Sequence, residues 1–247
     1  MLKVGVIGAA GRMGRLACEA IEATDDLGLV ARVGRGDSLD QLEGADITID
    51  LSAPAAVMDH IDWCVRHGVN VVAGTSGFTD ERLSMIEESL RSRPEVGVIV
   101  VPNFSIGAVL MMRFAAEAAG FFDSVELIEL HHPAKIDAPS GTALRTAALM
   151  AAARRGAGRG PMPDSTVDNT LGTRGGQVSG VPVHSVRLRG LVAHQEVLFG
   201  NEGETLKIRH DMPDRAAAMP GLLAATRAVV DRPGLTVGLE HVLGLGS

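Results

Sequence analysis

Along the first hundred residues, short apolar runs alternate with stretches whose apolar side chains recur at helical spacing. Leu2–Ile7, Leu27–Val33, Asp46–Leu51, Val69–Ala73 and Val96–Val101 are brief and largely apolar, and they predict buried strands. Arg12–Ala23, Val57–His67 and Asp80–Arg91 predict helices, the last opened by Thr79 or Asp80. Strand and helix in regular alternation predict a parallel sheet covered on both faces.

The pattern changes after Asn103. A helix over Ser105–Gly120 leads into a strand over Val125–His131, then a polar turn, then a helix over Ser140–Arg155. The stretch Arg154–Gly180, rich in Gly, Pro and Arg, predicts a long loop. Val183–Arg209 carries strand signals without a helix, and "FGNEGET" (Phe199–Thr205) predicts a hairpin turn. The tail predicts a helix over Arg215–Val230 and then strand character in "GLTVGLEHVL", a pair suited to rejoining the first sheet. The expected fold class is α/β, a doubly wound parallel sheet plus a second α+β domain with a mixed or antiparallel sheet. The expected boundaries are 1–103 with 213–247 for the first domain and 104–212 for the second.

Composition narrows the function. The chain has 247 residues, 46% hydrophobic and 21% charged, as a soluble globular protein would. A net charge of −7 opposes nucleic-acid binding, which needs a basic surface, and the absence of Tyr with a single Trp opposes base-stacking platforms. The apolar stretch Gly107–Phe122 is interrupted by Arg113 and Glu117, so it predicts a core helix rather than a membrane span. The N-terminus runs directly into a strand, without a basic segment followed by a long apolar one. Cys18 and Cys64 fall in predicted helices. They are expected as reduced, buried thiols of a cytoplasmic protein, although spacing alone leaves a bridge open.

Two segments carry chemistry. "VGVIGAAGRMGR" places Gly8, Gly11 and Gly14 between a strand and a helix, a variant of the dinucleotide fingerprint. Gly8 makes the turn, Gly11 lets backbone approach a pyrophosphate, and Gly14 lets helix and strand pack closely, with the helix N-terminus toward the anion. Ala9, Ala10, Arg12 and Met13 complete the loop. A merely structural Gly-rich turn is the competing reading. The second strand ends in Gly34 and Arg35, where an acidic residue would hold a ribose 2′-hydroxyl, and Arg35 with Arg12 suits a 2′-phosphate. NADPH is therefore expected as the preferred cofactor, unless Arg35 is only a solvated loop arginine. "AGTSGF" and "VPNFSIG" follow the fourth and fifth strands. Their Gly74, Thr75, Ser76, Val101, Pro102, Asn103 and Phe104 are expected near the cofactor or substrate, or else form plain connections.

The second segment is "ELHHPAKIDAPSGTA" (Glu129–Ala143). Alternation along a strand puts Val125, Leu127, Glu129 and His131 on one face and turns His132 away, so no zinc site is expected from the pair. Ser140, Gly141 and Thr142 open a helix and suit a carboxylate, with an ordinary N-cap as the competing reading. Lys135 adds a positive charge that can also deliver a proton.

That segment resembles the signature of the 4-hydroxy-tetrahydrodipicolinate reductase (dihydrodipicolinate reductase) family of the lysine and diaminopimelate pathway. "GVIGAAGRMGR", "VVAGTSGFT", "VPNFSIGAV" and "GLVAHQEVLFGNEGETLKIRHD" resemble the family in the expected order, so the likeness spans nearly the whole chain. The resemblance implies a Rossmann-type cofactor domain and a mixed-sheet domain that binds substrate and assembles a homotetramer. It implies hydride transfer to a cyclic imine dicarboxylate, with His131 as general acid and Lys135 as second proton donor. It implies His132, Gly141 and Thr142 as substrate contacts with Ser140 beside them, and Arg12 and Arg35 on the 2′-phosphate. Some members carry an acidic residue where Gly34 stands and accept NADH, which leaves NADH possible here. Two rivals remain. One is another amino-acid or imino-acid dehydrogenase such as aspartate or homoserine dehydrogenase, which would lack "HHPAKIDAPSGTA". The other is a non-catalytic dinucleotide sensor, which would not need the histidines and lysine together.

Overall fold

The computed structural model describes residues 1–245 and divides the chain into two compact units. The first holds Met1–Ile106 and the chain from Ala216 onward; the second is Gly107–Arg215.

The first unit runs β1 (Leu2–Ile7), α1 (Arg12–Glu22), β2 (Leu27–Val33), β3 (Ile47–Asp50), α2 (Val57–Arg66), β4 (Asn70–Ala73), α3 (Asp80–Leu90) and β5 (Gly97–Val100). All of its strands are parallel, in the order β11-β5-β4-β3-β1-β2, where β11 is Gly234–Val237 from the tail. The apolar runs become strands because both sheet faces are covered: every residue of β3 and β5 is buried. Thr79, not Asp80, caps α3, accepting from the Arg82 N–H at 3.3 Å. Cys18 and Cys64 are free and buried, on α1 and α2, so the bridge that spacing left open does not form. The tail helix is segmented: a 3₁₀ turn at Arg215–Ala218, α6 (Met219–Ala228), and a second 3₁₀ turn at Val229–Asp231.

The second unit runs α4 (Ile106–Ala119, its first residue still in the first unit), β6 (Ser124–His131), α5 (Gly141–Gly156), β7 (Gly176–Val178), β8 (Val181–Arg187), β9 (Ala193–Asn201) and β10 (Glu204–Met212). The sheet order is β10-β9-β6-β8-β7; β6 and β8 pair parallel and the other pairs are antiparallel, so the sheet is mixed. The expected loop over 154–180 is shorter than predicted, because α5 extends to Gly156 and β7 occupies Gly176–Val178. Ser179 (φ 54°) and Gly180 (φ 84°) form the two-residue turn between β7 and β8, with both positions left-handed as such hairpins require. A short α7 (Leu239–Val242) follows β11.

The start of β6 is held by two arginines. Arg154 donates to the Phe122 carbonyl at 2.5 Å and to the Asp123 carbonyl at 3.0 Å. Arg159 donates to the Gly120 and Phe121 carbonyls at 2.9 Å each. Cations thus satisfy carbonyls left over at the end of α4 and fix where the next strand begins.

Candidate functional site

The glycine turn follows β1, which lies between β2 and β3 at the sheet's switch point, where parallel sheets bind ligands beyond their strand ends. Gly8 has φ 78°, and a Cβ there would lie 2.7 Å from the Leu51 carbonyl oxygen. A Cβ on Gly14 would lie 2.1 Å from the Gly8 carbonyl oxygen, so the helix sits directly against the turn. Gly11 occupies the N-cap of α1, offers no side-chain cap, and is followed by a first turn without acidic residues. The first N–H groups of the helix are left for an external acceptor, with the positive end of the helix dipole behind them. Arg12 is exposed beside them; Ala9 is buried, Ala10 exposed and Met13 half-buried.

Next to this turn, a cleft of about 490 Å³ is lined by Ala9, Ala10, Arg15, Arg32, Gly34 and Asp37, among others. Arg35 is exposed. Sequence reasoning missed Asp37: its carboxylate accepts from the Gly34 N–H at 2.7 Å, placing an acid at the end of β2 although Gly34 itself is not one. The turn after β3 is fixed by buried Asp50, which accepts from the Ser52 N–H at 2.8 Å and from His60 Nδ1–H at 2.7 Å.

After β4, Thr75 is buried and its hydroxyl has no hydrogen-bond partner among the described residues, a polar atom in need of one. Ser76 is exposed. A Cβ on Gly74 would lie 2.4 Å from the Phe104 ring. Val101 and Phe104 are buried in the core, while Pro102 is exposed and Asn103 half-buried. Three features fit a dinucleotide in the first unit: the Cβ-free cradle, the uncapped helix end and the orphaned Thr75 hydroxyl.

In the second unit, β6 ends at His131 and carries Val125, Leu127 and Glu129 buried on the face predicted from alternation. Glu129 is fully buried, and both its oxygens accept from Arg187, Oε2 at 2.9 Å and Oε1 at 2.8 Å. His131 Nδ1 lies 2.5 Å from Glu129 Oε2. Burial alone would push the Glu129 pKa up, but hydrogen bonds from Arg187, Ser185 and His131 outweigh it and hold the carboxyl below its ordinary value. An ionised carboxylate only accepts, so His131 Nδ1 carries the hydrogen. Burial lowers the His131 pKa despite Glu129, assisted by the charges of Lys135 and Arg187.

His132 lies past the strand end, where Arg215 donates to its Nε2 at 3.3 Å. Lys135, held in a turn by its N–H to the His132 carbonyl, donates to Asp137 at 2.7 Å. That ion pair lowers the Asp137 pKa. Arg187 also donates to the Asp137 carbonyl at 2.8 Å, tying the turn back to the strand. Ser140 is buried and caps α5, its hydroxyl accepting from the Ala143 N–H at 3.1 Å, so the cap reading describes what this side chain does. Gly141 is exposed and Thr142 half-buried, and together they begin the helix. The turn therefore gathers Lys135, His131, His132, Arg215 and a helix N-terminus, groups that suit a small anion, with Asp137 paired to Lys135 and Glu129 to His131. Arg187 and Arg215 escaped sequence reasoning because each meets the turn from a distant part of the chain. Among the described residues, no cluster of His, Cys, Asp and Glu could hold a metal ion, and no helix is long and apolar enough to cross a membrane.

Residues 2–104 match the model of the family "Dihydrodipicolinate reductase, N-terminus", and residues 107–243 match "Dihydrodipicolinate reductase, C-terminus". The 4-hydroxy-tetrahydrodipicolinate reductase of Cutibacterium acnes is 56% identical, over 99% of this chain and all of that one. The protein of the same name from Streptomyces griseus is 57% identical, over 99% of this chain and 98% of its own. A dipicolinate-bound dihydrodipicolinate reductase from Paenisporosarcina sp. TG-14 superposes with a TM-score of 0.85 at 36% identity, covering 98% of this chain and 99% of its own.

Proposed function

The chain belongs to the dihydrodipicolinate reductase family and is an NAD(P)H-dependent oxidoreductase acting on 4-hydroxy-tetrahydrodipicolinate; within that activity, we propose the following roles for its residues. The reaction yields tetrahydrodipicolinate with loss of water and serves diaminopimelate and lysine biosynthesis. When bound, the reduced nicotinamide supplies a hydride to the conjugated C=N system of the substrate.

Backbone N–H groups after Gly11 hold the pyrophosphate, with Gly8, Gly11 and Gly14 permitting the approach. Arg12 and Arg35 grip a 2′-phosphate, which makes NADPH the preferred cofactor. Asp37, at the Gly34 N–H, is placed to accept from a ribose 2′-hydroxyl, which keeps NADH usable. Gly74, Thr75 and Ser76, with the main chain from Val101 to Phe104, border the nicotinamide end.

The N–H groups of Gly141 and Thr142 at the start of α5 take one substrate carboxylate, while His132 and Lys135, with Arg215 behind His132, stabilise the other. His131 presents a proton at Nε2 as general acid, and Lys135 is the second proton donor. Both neutralise charge as it develops on the reduced ring, which is stabilisation specific to the transition state. Ser140 contributes by capping the helix that presents these N–H groups. A homotetramer in the cytoplasm completes the reading; a stable monomer in sedimentation would remove the tetramer.

The observation that carries these roles is the collection of imidazoles, lysine and helix start on one turn, in a chain whose solved relative holds dipicolinate. The test is a coupled assay with freshly generated substrate, following NADPH and NADH oxidation separately. Arg35→Ala is expected to weaken NADPH about 10-fold or more, the worth of a charge-assisted hydrogen bond, and to leave NADH nearly unchanged. Equal loss with both cofactors would remove Arg35 from the 2′-phosphate.

A further inference from the structure

We propose that Glu129 is the positioning residue of this reaction: its buried carboxylate locks the His131 imidazole through Nδ1, so that only Nε2 can present a proton, and through Arg187 it fixes the substrate turn in register with that imidazole. This rests on the reading of His131 as general acid.

Glu129 and His131 stand two apart on β6, so the strand's period of two puts both side chains on one face. His131 pairs in register with Arg187 across the parallel β6–β8 ladder. Arg187 reaches back to both oxygens of Glu129 and forward, through Nη2, to the Asp137 carbonyl at 2.8 Å. The bidentate guanidinium neutralises the buried carboxylate and pairs both its oxygens, and Ser185 adds a further hydrogen bond. Nor does such a pair usually add net stability over well-packed apolar side chains. Fold maintenance therefore leaves the imidazole contact at 2.5 Å unaccounted for. It is accounted for if the carboxylate orients the ring and selects its tautomer, as partners of functional histidines do.

Among the described residues the charges acting on His131 are Glu129 from its own strand, Arg187 from β8 and Lys135 from the turn, while its register partner on β9, Ala193, is uncharged. Glu129 is the only one of these that favours the imidazolium. Its removal makes Nε2 harder to keep protonated and lets the ring adopt the other tautomer.

The test compares Glu129→Gln, the double variant Glu129→Gln/Arg187→Met, which leaves no unpaired half-buried cation, and His131→Gln, with kcat and KM followed across pH and the NADPH Kd measured for each. ¹⁵N NMR of the imidazole in the wild-type protein reads the tautomer whether or not the variants fold. Expected for the Glu129 variants are a kcat lower by about 10–100-fold, a KM within about threefold, an unchanged NADPH Kd, and a high-pH limb displaced to lower pH. Neutral His131 in the wild type should carry its hydrogen on Nδ1. A folded Glu129→Gln enzyme with wild-type kcat and pH limb, beside an impaired His131→Gln, overturns the positioning role alone. Wild-type turnover by His131→Gln overturns the general-acid reading and the positioning role with it. A neutral His131 with its hydrogen on Nε2 overturns the proposed geometry.

Discussion

Replacing Gly14 by alanine tests the cofactor cradle with one methyl group. In an ordinary helix the change would stabilise by about 0.5–1 kcal/mol, because glycine loses more backbone freedom on folding. Here the new carbon would lie 2.1 Å from the Gly8 carbonyl oxygen and 2.7 Å from Ala9 Cα. Contacts between carbons are comfortable only at about 3.5–4.0 Å, so α1 or the turn must move by roughly 1 Å. Both obstacles are main chain, and no rotamer change relieves them. Overpacking of this kind costs about 1–3 kcal/mol, so the net loss lies between about 0 and 2.5 kcal/mol, and the main-chain obstacles place it in the upper part of that range, about 1–2 kcal/mol. In a chain of this size that lowers the melting temperature by about 2–8 °C. The same movement would misalign the N–H groups proposed to hold the pyrophosphate, and losing one such bond, worth about 1.5–3 kcal/mol, would weaken NADPH roughly 10- to 150-fold. Gly156, at the end of α5, is the control: an added Cβ meets nothing within 4 Å, so Gly156→Ala should be neutral or stabilising by up to about 1 kcal/mol. Thermal unfolding and fluorescence titration with NADPH measure both variants. If Gly14→Ala melts like Gly156→Ala and binds NADPH like the wild type, the close packing of α1 on the turn is not what shapes the site.

Three further outcomes follow from other parts of the molecule. Lys135→Ala should lower turnover far more than it weakens NADPH; steady-state kinetics with cofactor titration would refute this by showing normal turnover. Ser140→Ala removes the cap of α5 and should cost about 1 kcal/mol in denaturant unfolding with little change in KM, whereas a large KM rise at unchanged stability would make Ser140 a substrate contact. Burial pushes the Cys64 thiol up to about 12 from an ordinary 9.0. Between those values the unfolded chain loses a proton that the folded chain keeps, so this thiol's contribution to stability falls as pH rises through that window. A thiol reagent at pH 8 should accordingly leave Cys64 unmodified until the protein unfolds.

The first unit was the most legible part, because β3, β5 and β1 from Val4 onward are buried on both sheet faces and appear in the chain as short, largely apolar runs. β7 was not: "GQV" is three residues at an exposed sheet edge, with no apolar pattern to mark it. The loop after α5 was overestimated for the same reason. In the site, alternation along β6 placed Glu129 and His131 on one face, and the glycine spacing marked the cradle. Arg187 could not be found this way, since its partner Glu129 lies 58 residues away and the contact exists only once β6 and β8 pair. Asp37 was passed over because the expected acid belongs three residues earlier in the chain, and the loop folds it back onto Gly34. Ser140 was ambiguous because an N-cap and an anion contact call for the same residue type at the same place.

The return of β11 to the edge of the first sheet has a consequence for synthesis on the ribosome. β5 emerges with its outer edge unpaired and waits about 130 residues, from Val100 to Gly234, for its neighbour. At translation speeds of about 5–20 residues per second that interval lasts roughly 7–26 s. The inserted unit has both its ends in hand before the first unit's sheet is complete, so it can acquire its structure while that sheet is still open-edged. Chaperone capture during translation should therefore concentrate on chains that have passed β5 and have not yet exposed β11.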